Sequence, residues 1–390
     1  MVKKITKGIV IIGAGPAGLI FSLLSSASNN SISLVESRAA FERKNDKRAL
    51  ALSASSRYIL EKIDIWNDIE DKIIPIKSIH TSQKNTFGRS KLSADEFNSE
   101  ALGYIVAYGD LIVALEEKIR TQKKITLFYE TKVKKIDEIK NDKQKIICYQ
   151  ASKPLTLDCN LLVLADGGHS CIDGLSIVRE EKVIDHLAIV TQVHSDKPHK
   201  NIAFERFTSS GPIALLPNHK GDYSLVWTGP KDKINKLAAL NKNSFLKSLQ
   251  EEFGERAGQF ESCEKRVSFP LVQSSIVTIH NKNVVAIGNA AQIMHPVAGQ
   301  GLNTGLRDAL SLSELIIDNE AIQSSERLIK NYLESRKVET ESMLKITEGL
   351  TTLFTNDFIG INRLRGLALA IFDCTPILKK KFVQKMSYGK

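Results

Sequence analysis

The glycine-rich segment near the N-terminus limits the possible folds of this chain more than any other feature. Residues 13–18 read GAGPAG, and they directly follow the apolar run Ile9–Ile12. A second apolar run, Ile32–Val35, comes after a stretch of helical character. Because strand, tight turn, helix and strand follow in this order, the pattern predicts a βαβ unit with two parallel strands.

The residues of this unit also indicate what it binds. Gly13, Gly15 and Gly18 permit a tight turn, the close approach of a pyrophosphate and close packing of helix on strand. Glu36 stands at the end of the second strand, where a carboxylate can accept hydrogen bonds from ribose hydroxyls. The unit therefore predicts a dinucleotide-binding fold of the Rossmann type.

A second glycine-rich segment lies far along the chain, where residues 285–303 read VAIGNAAQIMHPVAGQGLN. The pattern predicts a buried strand, a turn of small residues, a loop fixed by Pro296, and a helix that opens at Gly301, Leu302 and Asn303. Backbone N–H groups at a helix start lack partners within the helix, so they can face an anionic or electron-rich ring system. Together, the two glycine-rich segments predict a flavoprotein.

Composition narrows the possible partners. The 390 residues carry 54 Lys and Arg against 44 Asp and Glu, a formal charge of +10, which favours phosphates or an anionic membrane face. No recognition helix, zinc-finger spacing or aromatic-basic interleaving points to nucleic acid. The five cysteines are far apart and form no CxxC pair, so neither a disulfide framework nor a metal site is predicted.

The chain also lacks the pattern of a spanning helix. No run of about 18 or more apolar residues is present. Lys3, Lys4 and Lys7 before the first strand imitate a signal peptide, but the apolar run that follows belongs to the glycine motif. We therefore expect a cytoplasmic protein, with at most a peripheral contact with the membrane.

The remaining patterns predict the architecture. Leu161–Ala165 is a further apolar strand that ends in Asp166, Gly167 and Gly168. Residues 184–275 contain short β-type runs separated by turn residues, and helical periodicity dominates from about residue 325. The predicted fold is α/β: a Rossmann-like nucleotide-binding domain, an inserted, mainly antiparallel β-sheet domain and C-terminal helices.

Three nucleotide motifs carry a family resemblance: the glycine turn at residues 13–18, the turn at residues 166–168 and the segment at residues 285–303. In this order, they resemble those of the single-component FAD-dependent aromatic hydroxylases, the group typified by 4-hydroxybenzoate hydroxylase. Within that group the chain resembles the ubiquinone-biosynthesis hydroxylases, and most of all those acting on 2-octaprenyl-6-methoxyphenol. The resemblance rests on RALAL at residues 48–52, AFERF at residues 203–207 and GNAAQ at residues 288–292, with Gly211-Pro212 and Leu216-Pro217 between them.

The resemblance implies FAD as the cofactor and divides the chain into parts. Residues 1–75, 100–180 and 276–330 would form a discontinuous FAD-binding domain, residues 76–99 and 181–275 the substrate domain, and residues 331–390 a C-terminal helical region. The residues implied along FAD are Gly13, Gly15, Gly18, Glu36, Arg48, Asp166, Gly167, Asn289, Gly301, Leu302 and Asn303.

Two positions depart from the pattern of the broader group. Asn289 stands where an aspartate usually contacts the ribityl chain of the flavin, and asparagine keeps an acceptor without the charge. Cys171-Ile172-Asp173 stands where an arginine usually contacts the nicotinamide nucleotide. Since only one Rossmann fingerprint is present, NADPH or NADH would dock transiently as the electron donor.

The resemblance further implies the chemistry. With O2 as co-substrate, a flavin C4a-hydroperoxide would hydroxylate the ring of a polyprenyl-methoxyphenol in ubiquinone biosynthesis. Pro296 and Gly299 would lie over the flavin ring. Glu205, Arg206, Tyr223 and His295 are candidates for assisting ionisation of the phenol, although strand-borne charges and buried tyrosines are more often structural.

A prenyl tail requires an apolar groove and access to lipid. The apolar stretch Leu367–Phe372 precedes Lys379, Lys380, Lys381 and Lys385, which could form an interfacial surface or simply a solvated helix end. The inner membrane and other ubiquinone-biosynthesis proteins are therefore candidate partners. Two alternatives remain open: a flavin monooxygenase of another aromatic substrate, and a non-catalytic component that binds FAD or a prenyl phenol.

Overall fold

Three β-sheets and a set of helices form the part of the chain that this computed structural model describes, residues 3–86, 88–140, 143–168, 171–294, 299–318, 325–355 and 361–389. The strands are β1 Lys3–Ile12, β2 Ile32–Val35, β3 Ala49–Leu52, β4 Ile74–Ile76, β5 Ser78–Gln83, β6 Arg89–Ser93, β7 Gly103–Ala107, β8 Ile125–Phe128, β9 Thr131–Lys140, β10 Lys143–Gln150, β11 Lys153–Leu164, β12 Ile177–Ser195, β13 Ile202–Thr208, β14 Gly211–Pro217, β15 Tyr223–Pro230, β16 Phe260–Cys263, β17 Val267–Ile279, β18 Val284–Ala286 and β19 Gln292–Ile293. The α-helices are α1 Pro16–Ser25, α2 Ala54–Lys62, α3 Trp66–Ile69, α4 Tyr108–Arg120, α5 Lys231–Ala239, α6 Lys242–Phe253, α7 Gln300–Asp318, α8 Ser325–Thr355, α9 Ile361–Cys374 and α10 Pro376–Tyr388.

The first sheet has seven strands and contains the predicted βαβ unit. Its parallel part has the order β8-β2-β1-β11-β18, and the β9–β10 hairpin pairs antiparallel with the first half of β11. Both faces are buried at Ile9–Ile12 of β1 and at Leu161–Leu164 of β11, because α1, α4 and α7 cover one face and other strands cover the second. Burial on both faces explains why these two segments read as unbroken apolar runs.

The strand order of this sheet reverses at β1. The chain moves from β1 through α1 to β2 on one side, whereas β11 and β18 lie on the other side. Loops that leave the carboxyl ends of strands at such a reversal form a crevice in which ligands bind. The Gly13 turn, the Asp166 loop and the Gly288 turn all leave strands at this edge.

The second sheet has nine strands in the order β19-β17-β12-β15-β14-β13-β5-β6, with β16 paired to β12. It is antiparallel except where β13 pairs with β5. Helices α5 and α6 cover its outer face, where Trp227 and Phe245 are fully buried. Its inner face lies toward the small sheet β3-β7-β4, because Ala203 packs with Ile74, Ile76 and Ile105.

The predicted fold class is confirmed: a parallel nucleotide-binding sheet, an inserted mainly antiparallel sheet and C-terminal helices are all present. The predicted domain boundaries remain a prediction. The second sheet takes its strands from three stretches, namely β5–β6, the strands from β12 to β17, and β19. The last of these lies within residues 276–330, which were assigned to the FAD-binding domain.

The C-terminal helices extend from the first sheet toward the second. Helix α8 packs on α7 and also contacts β13 and β14, while α9 packs on β6 and α10 on α2. Among the described residues, no helix combines the length and apolar character needed to cross a bilayer.

Candidate functional site

The three glycines of the N-terminal turn have different roles. Gly13 has a φ of +104°, and a Cβ there would lie 2.5 Å from the Ala165 carbonyl oxygen. A Cβ on Gly18 would lie 2.0 Å from the Gly13 carbonyl oxygen. At Gly15, by contrast, the nearest atom would be the Ala165 oxygen at 3.9 Å. The fold itself requires Gly13 and Gly18, whereas Gly15 leaves open space in front of α1, where a pyrophosphate would approach the helix.

Glu36 lies at the end of β2, beside this turn, and is 2% exposed. Its carboxylate accepts hydrogen bonds from the Ala14 N–H at 3.0 Å and from Arg38 Nε at 2.9 Å. Burial alone would raise the pKa of Glu36, but the hydrogen bonds and charge of Arg38 outweigh it and hold that pKa below its usual range. A ribose hydroxyl would share an ionised carboxylate with Arg38.

Arg43 is a buried cation next to the glycine turn that the sequence analysis missed. Its Nη2 donates to the Ala14 carbonyl oxygen at 2.6 Å, and its Nη1 donates to Tyr108 Oη at 2.7 Å. Glu36 and Glu116 lie 3.8 and 3.7 Å from Nη2. In the sequence Arg43 stands in a run of mixed charges, and no spacing rule distinguishes it from its neighbours.

Arg48 lies close to the same tyrosine. Its guanidinium stacks 4.9 Å from the centre of the Tyr108 ring and pairs with Asp46 at 2.6 Å. The side chain is half exposed, so it can reorient toward a phosphate or ring at the crevice. Stacking on Tyr108 holds the planar group beside Arg43, which donates to the same tyrosine.

The turn after β18 packs tightly against the start of α1 and the first turns of α7. A Cβ on Gly288, where φ is +60°, would lie 3.1 Å from the Ala17 Cβ. A Cβ on Gly305 would lie 2.9 Å from the Gly288 Cα. Small residues at these positions let the two helix starts approach the same crevice.

The loop after β11 meets this turn. Asp166 Oδ1 accepts the Gly168 N–H at 3.0 Å, and Gly167 has a φ of +79°. An ideal Cβ on Gly168 would lie 3.2 Å from the Asn289 carbonyl oxygen, and one on Gly301 would lie 3.7 Å from Asn289 Oδ1. Asn289 is exposed. The structure thus brings Asp166, Gly167, Asn289 and Gly301 together at one edge of the first sheet.

Asn303 fastens the start of α7 to the segment after β3. Its Oδ1 accepts the Ser53 N–H at 2.8 Å and the Ser56 hydroxyl at 2.7 Å, and its Nδ2 donates to the carbonyls of Ala51 and Gly299 at 3.0 and 2.9 Å. This buried side chain is fully used within the protein. Only the backbone N–H of Asn303 remains for the predicted contact with a flavin, and the same holds for Leu302, whose side chain packs against the core.

Asp308 is a second residue that the sequence analysis missed. Its carboxylate accepts the Gly288 N–H at 3.0 Å, Gln292 Nε2 at 2.9 Å and Arg336 Nε at 2.9 Å. Arg336 also pairs with Glu339 on α8. This network ties the turn after β18 to both α7 and α8.

An arginine does reach the loop after β11, although the residues that follow it in sequence lack one. Arg179 of β12 donates to the Ala290 carbonyl oxygen at 2.8 Å. Its guanidinium nitrogens would lie 3.5 Å from a Cβ on Gly168. Arg179 belongs to β12, so local spacing after β11 could not indicate this contact.

The second sheet separates the candidates for phenol ionisation. Arg206 faces α6, where it donates to the Glu252 carbonyl oxygen at 3.1 Å, and Tyr223 is buried in the same outer core, where burial raises its pKa to about 12. Glu205 projects to the inner face, on the side of the first sheet, and its pKa is raised to about 7 by burial. His295 and Pro296 lie outside the described residues.

This arrangement fits an extended FAD molecule. The open space at Gly15, the carboxylate of Glu36, the Asp166 loop and the start of α7 follow one another along one edge of the sheet. The sequence profile of the FAD binding domain family matches residues 6–347. The chain belongs to this family.

Relatives cover nearly the whole chain. Ubiquinone hydroxylase UbiM of Neisseria meningitidis is 28% identical over 395 residues, covering 97% of this chain and 84% of that protein. Ubiquinone hydroxylase UbiL of Rhodospirillum rubrum is 26% identical over 386 residues, covering 96% and 88%. The crystal structure of p-nitrophenol 4-monooxygenase PnpA from Pseudomonas putida superposes with a TM-score of 0.78 at 16% identity, covering 99% and 98%.

These findings confirm the predicted family resemblance, FAD as the cofactor, and a flavoprotein hydroxylase as the class of enzyme. The likeness to PnpA concerns the fold.

Proposed function

We propose that this chain uses FAD, NADPH or NADH, and O2 to hydroxylate the ring of a polyprenyl-methoxyphenol in ubiquinone biosynthesis. The names of UbiM and UbiL, which align along almost the full length of the chain, support the pathway. The structural observation that carries the substrate class is the inner face of the second sheet, which is apolar, partly open and adjacent to the predicted flavin position.

In this proposal, each part of the crevice holds one part of FAD. Gly13, Gly15 and Gly18 with the N-terminus of α1 receive the pyrophosphate, Glu36 binds the adenosine ribose, and Arg43 supplies positive charge behind the turn. The backbone between Gly299 and Asn303 faces the flavin ring, with Arg48, Asp166, Gly167 and Asn289 along the rest. Bound FAD would activate O2, while the chain orients the FAD and excludes water from the site.

The inner face provides the substrate surface. Thr81, Glu205, Ala214, Val226 and Val190 lie directly opposite one another on five neighbouring strands, so their side chains share one face. Glu205, Ala214, Val226 and Val190 are half-buried, whereas residues of the outer face, such as Trp227, are fully buried. A partly open apolar surface favours an aromatic ring with a hydrocarbon tail, since burying that tail contributes about 0.8 kcal/mol per CH2 group.

We place the approach to lipid at the corner between α9 and α10. Leu367, Ile371, Ile377 and Leu378 are large apolar side chains that are 46–69% exposed. Lys380 and Lys381 follow them and are exposed. Lys379 does not contribute, because it is buried and pairs with Asp373 at 2.9 Å and with Glu96 at 3.3 Å. An apolar patch next to two lysines suits a peripheral contact with an anionic membrane face.

Deletion of the gene in its own host tests the proposal. We expect mass spectrometry of lipid extracts to show an accumulated polyprenyl-methoxyphenol and lost ubiquinone, both reversed by the wild-type gene. A Gly15→Val gene should not restore ubiquinone. Normal ubiquinone after deletion contradicts the pathway assignment, and restoration by Gly15→Val favours a non-catalytic role.

A further inference from the structure

We infer that Glu205 is the proton acceptor for the substrate's phenolic hydroxyl, an inference that rests on the proposed hydroxylase function. Of the described candidates, it alone combines an unpaired ionisable group with a position on the inner face. Arg206 and Tyr223 are held on the outer face, Arg206 by its hydrogen bonds to Glu252 and Ser82 and Tyr223 by its packing in the outer core.

The position of Glu205 follows from strand alternation. Ala203 and Glu205 are two residues apart on β13, so they point to the same side, about 7 Å apart. Ala203 belongs to a small apolar cluster against which Ala51 packs. The Cβ of Ala51 would lie 3.1 Å from a Cβ on Gly299, just before the start of α7. Continuous contacts therefore lead from the predicted flavin face to the neighbour of Glu205.

The surroundings of Glu205 offer its carboxylate no partner within the described part of the chain. Across the strands it faces Thr81 on β5 and Ala214 on β14, neither of which is charged. On α8, which packs on β13 and β14, the inward-facing charged groups Arg336 and Glu339 pair with each other. No hydrogen bond or ion pair of Glu205 is found among these residues, and burial is the sole cause of its raised pKa.

A lone carboxylate on an apolar surface lowers the stability of the fold. Ionisable groups in such surroundings cluster at functional sites, which favours a role for Glu205. The raised pKa brings the acceptor closer to the pKa of a phenol, about 10, than an ordinary glutamate would be. The proton leaves the phenolic oxygen for a carboxylate oxygen of Glu205, and the electron pair stays on the ring oxygen. This activates a ring carbon, which forms a C–O bond with one atom of O2 as the O–O bond breaks. NADPH or NADH supplies the two electrons through bound FAD, and the other oxygen atom leaves as water. After insertion, the carbonyl oxygen of the ring regains a proton from Glu205, while the proton on the hydroxylated carbon leaves to water.

The sign of the pH dependence follows. Glu205 accepts a proton only when ionised, so kcat/KM should rise with pH through about 7. Stability runs in the opposite direction, because a folded-state pKa above the unfolded value favours folding at low pH. That contribution is lost as pH rises from about 4.5 through about 7. Glu205→Gln should therefore melt no lower than the wild type at pH 8, which separates lost catalysis from lost folding.

The test compares the FAD-loaded wild type with Glu205→Gln, Glu205→Asp and Glu180→Gln, which alters an exposed carboxylate of the same sheet. We expect Glu205→Gln to lose at least ~100-fold in kcat/KM at pH 8 and to lose the rise near pH 7. Glu205→Asp should keep part of both, and Glu180→Gln should match the wild type. Wild-type hydroxylation that persists in Glu205→Gln with an unchanged pH profile overturns the inference and leaves the proposed function standing.

A binding measurement is independent of turnover. A short-chain prenyl methoxyphenol and its O-methyl ether, which has no phenolic proton, are titrated into the oxidised holoenzyme. We expect the wild type to prefer the phenol increasingly as pH rises through 7, and Glu205→Gln to lose that trend. If the wild type shows the trend but hydroxylates no phenol, the Glu205 contact stands and the proposed function fails. Equal trends in both proteins overturn the inference.

Discussion

At the scale of single residues, the glycine motif combines two requirements that look identical in the sequence. Gly13 and Gly18 are needed because neighbouring backbone leaves no room for a side chain. Gly15 is needed only if a ligand occupies the space in front of α1, because the protein itself leaves that space open. The spacing predicted the turn, but only the structure separates the two glycines that the backbone requires from Gly15, which it does not.

This distinction predicts opposite results for two substitutions. Gly15→Val should cost the FAD-free protein at most about 1 kcal/mol, because valine is a poorer N-cap for α1 than glycine. It should weaken FAD binding at least tenfold, because its side chain would occupy the ligand's space. Gly18→Ala should lower stability without ligand by about 1 to 3 kcal/mol, because its Cβ meets the Gly13 carbonyl oxygen. Thermal melts of the FAD-free proteins and fluorescence titration with FAD measure both effects. Similar losses of unliganded stability in the two variants would contradict this assignment.

At the scale of elements, the arrangement of helices around the proposed flavin position depends on a few buried polar residues. Asn303 joins the start of α7 to the segment after β3, and Asp308 joins α7 to the turn after β18 and to α8. These contacts fix where the helix start points. A shift of α7 would move the backbone that the proposed function places against the flavin ring.

We expect Asp308→Asn to destabilise the protein by about 2 to 4 kcal/mol, since the buried Arg336 guanidinium would lose one of its charged partners. It should also weaken FAD binding, because the Gly288 turn loses a charged acceptor. Urea denaturation measures the first effect. Asp318→Asn, at the exposed end of the same helix, is the control and should change little. A double variant with Arg336→Gln should cost less than the sum of the two single changes, and strict additivity would argue against the network.

The sequence predicted those parts of the fold that depend on local patterns. The apolar runs of β1, β2 and β11 and the glycines that follow them have a period and a spacing that indicate parallel strands and a ligand turn. Arg43, Arg179 and Arg336 could not be assigned, because each reaches the site from another element and only the folded chain brings them together. The roles of Glu205 and Arg206 were also ambiguous, since both faces of β13 carry apolar residues and the sequence does not say which face covers the first sheet.

At the scale of the whole molecule, the formal charge of +10 indicates less about membrane binding than does the placement of lysines beside exposed apolar side chains. The corner between α9 and α10 combines Leu367, Ile371, Ile377 and Leu378 with Lys380 and Lys381. On helix α5, Lys231 and Lys236 are exposed without a comparable patch. Substitutions at these two pairs of lysines can therefore distinguish membrane docking by the α9–α10 corner from a general attraction of the cationic protein to anionic lipid.

Vesicle flotation tests this surface. We expect the wild type to bind vesicles that contain anionic phosphatidylglycerol and to bind purely zwitterionic vesicles weakly. Lys380→Glu with Lys381→Glu should reduce anionic binding at least tenfold, since each lysine near such a surface contributes about 1 kcal/mol. Lys231→Glu with Lys236→Glu makes the same change in net charge and should reduce binding far less. Equal losses in both double variants would show that only overall charge matters.

The discontinuous origin of the nine-stranded sheet has a consequence for biogenesis. Its final strand, Gln292–Ile293, emerges long after Ser78–Gln83 has been synthesised, and α7 ends only at Asp318. The early strands are therefore synthesised well before their distant partners. Such non-local pairing is slow and leaves unpaired strand edges that are prone to aggregation. Because the crevice proposed for FAD includes the start of α7 at Gln300, capture of FAD would follow these late steps.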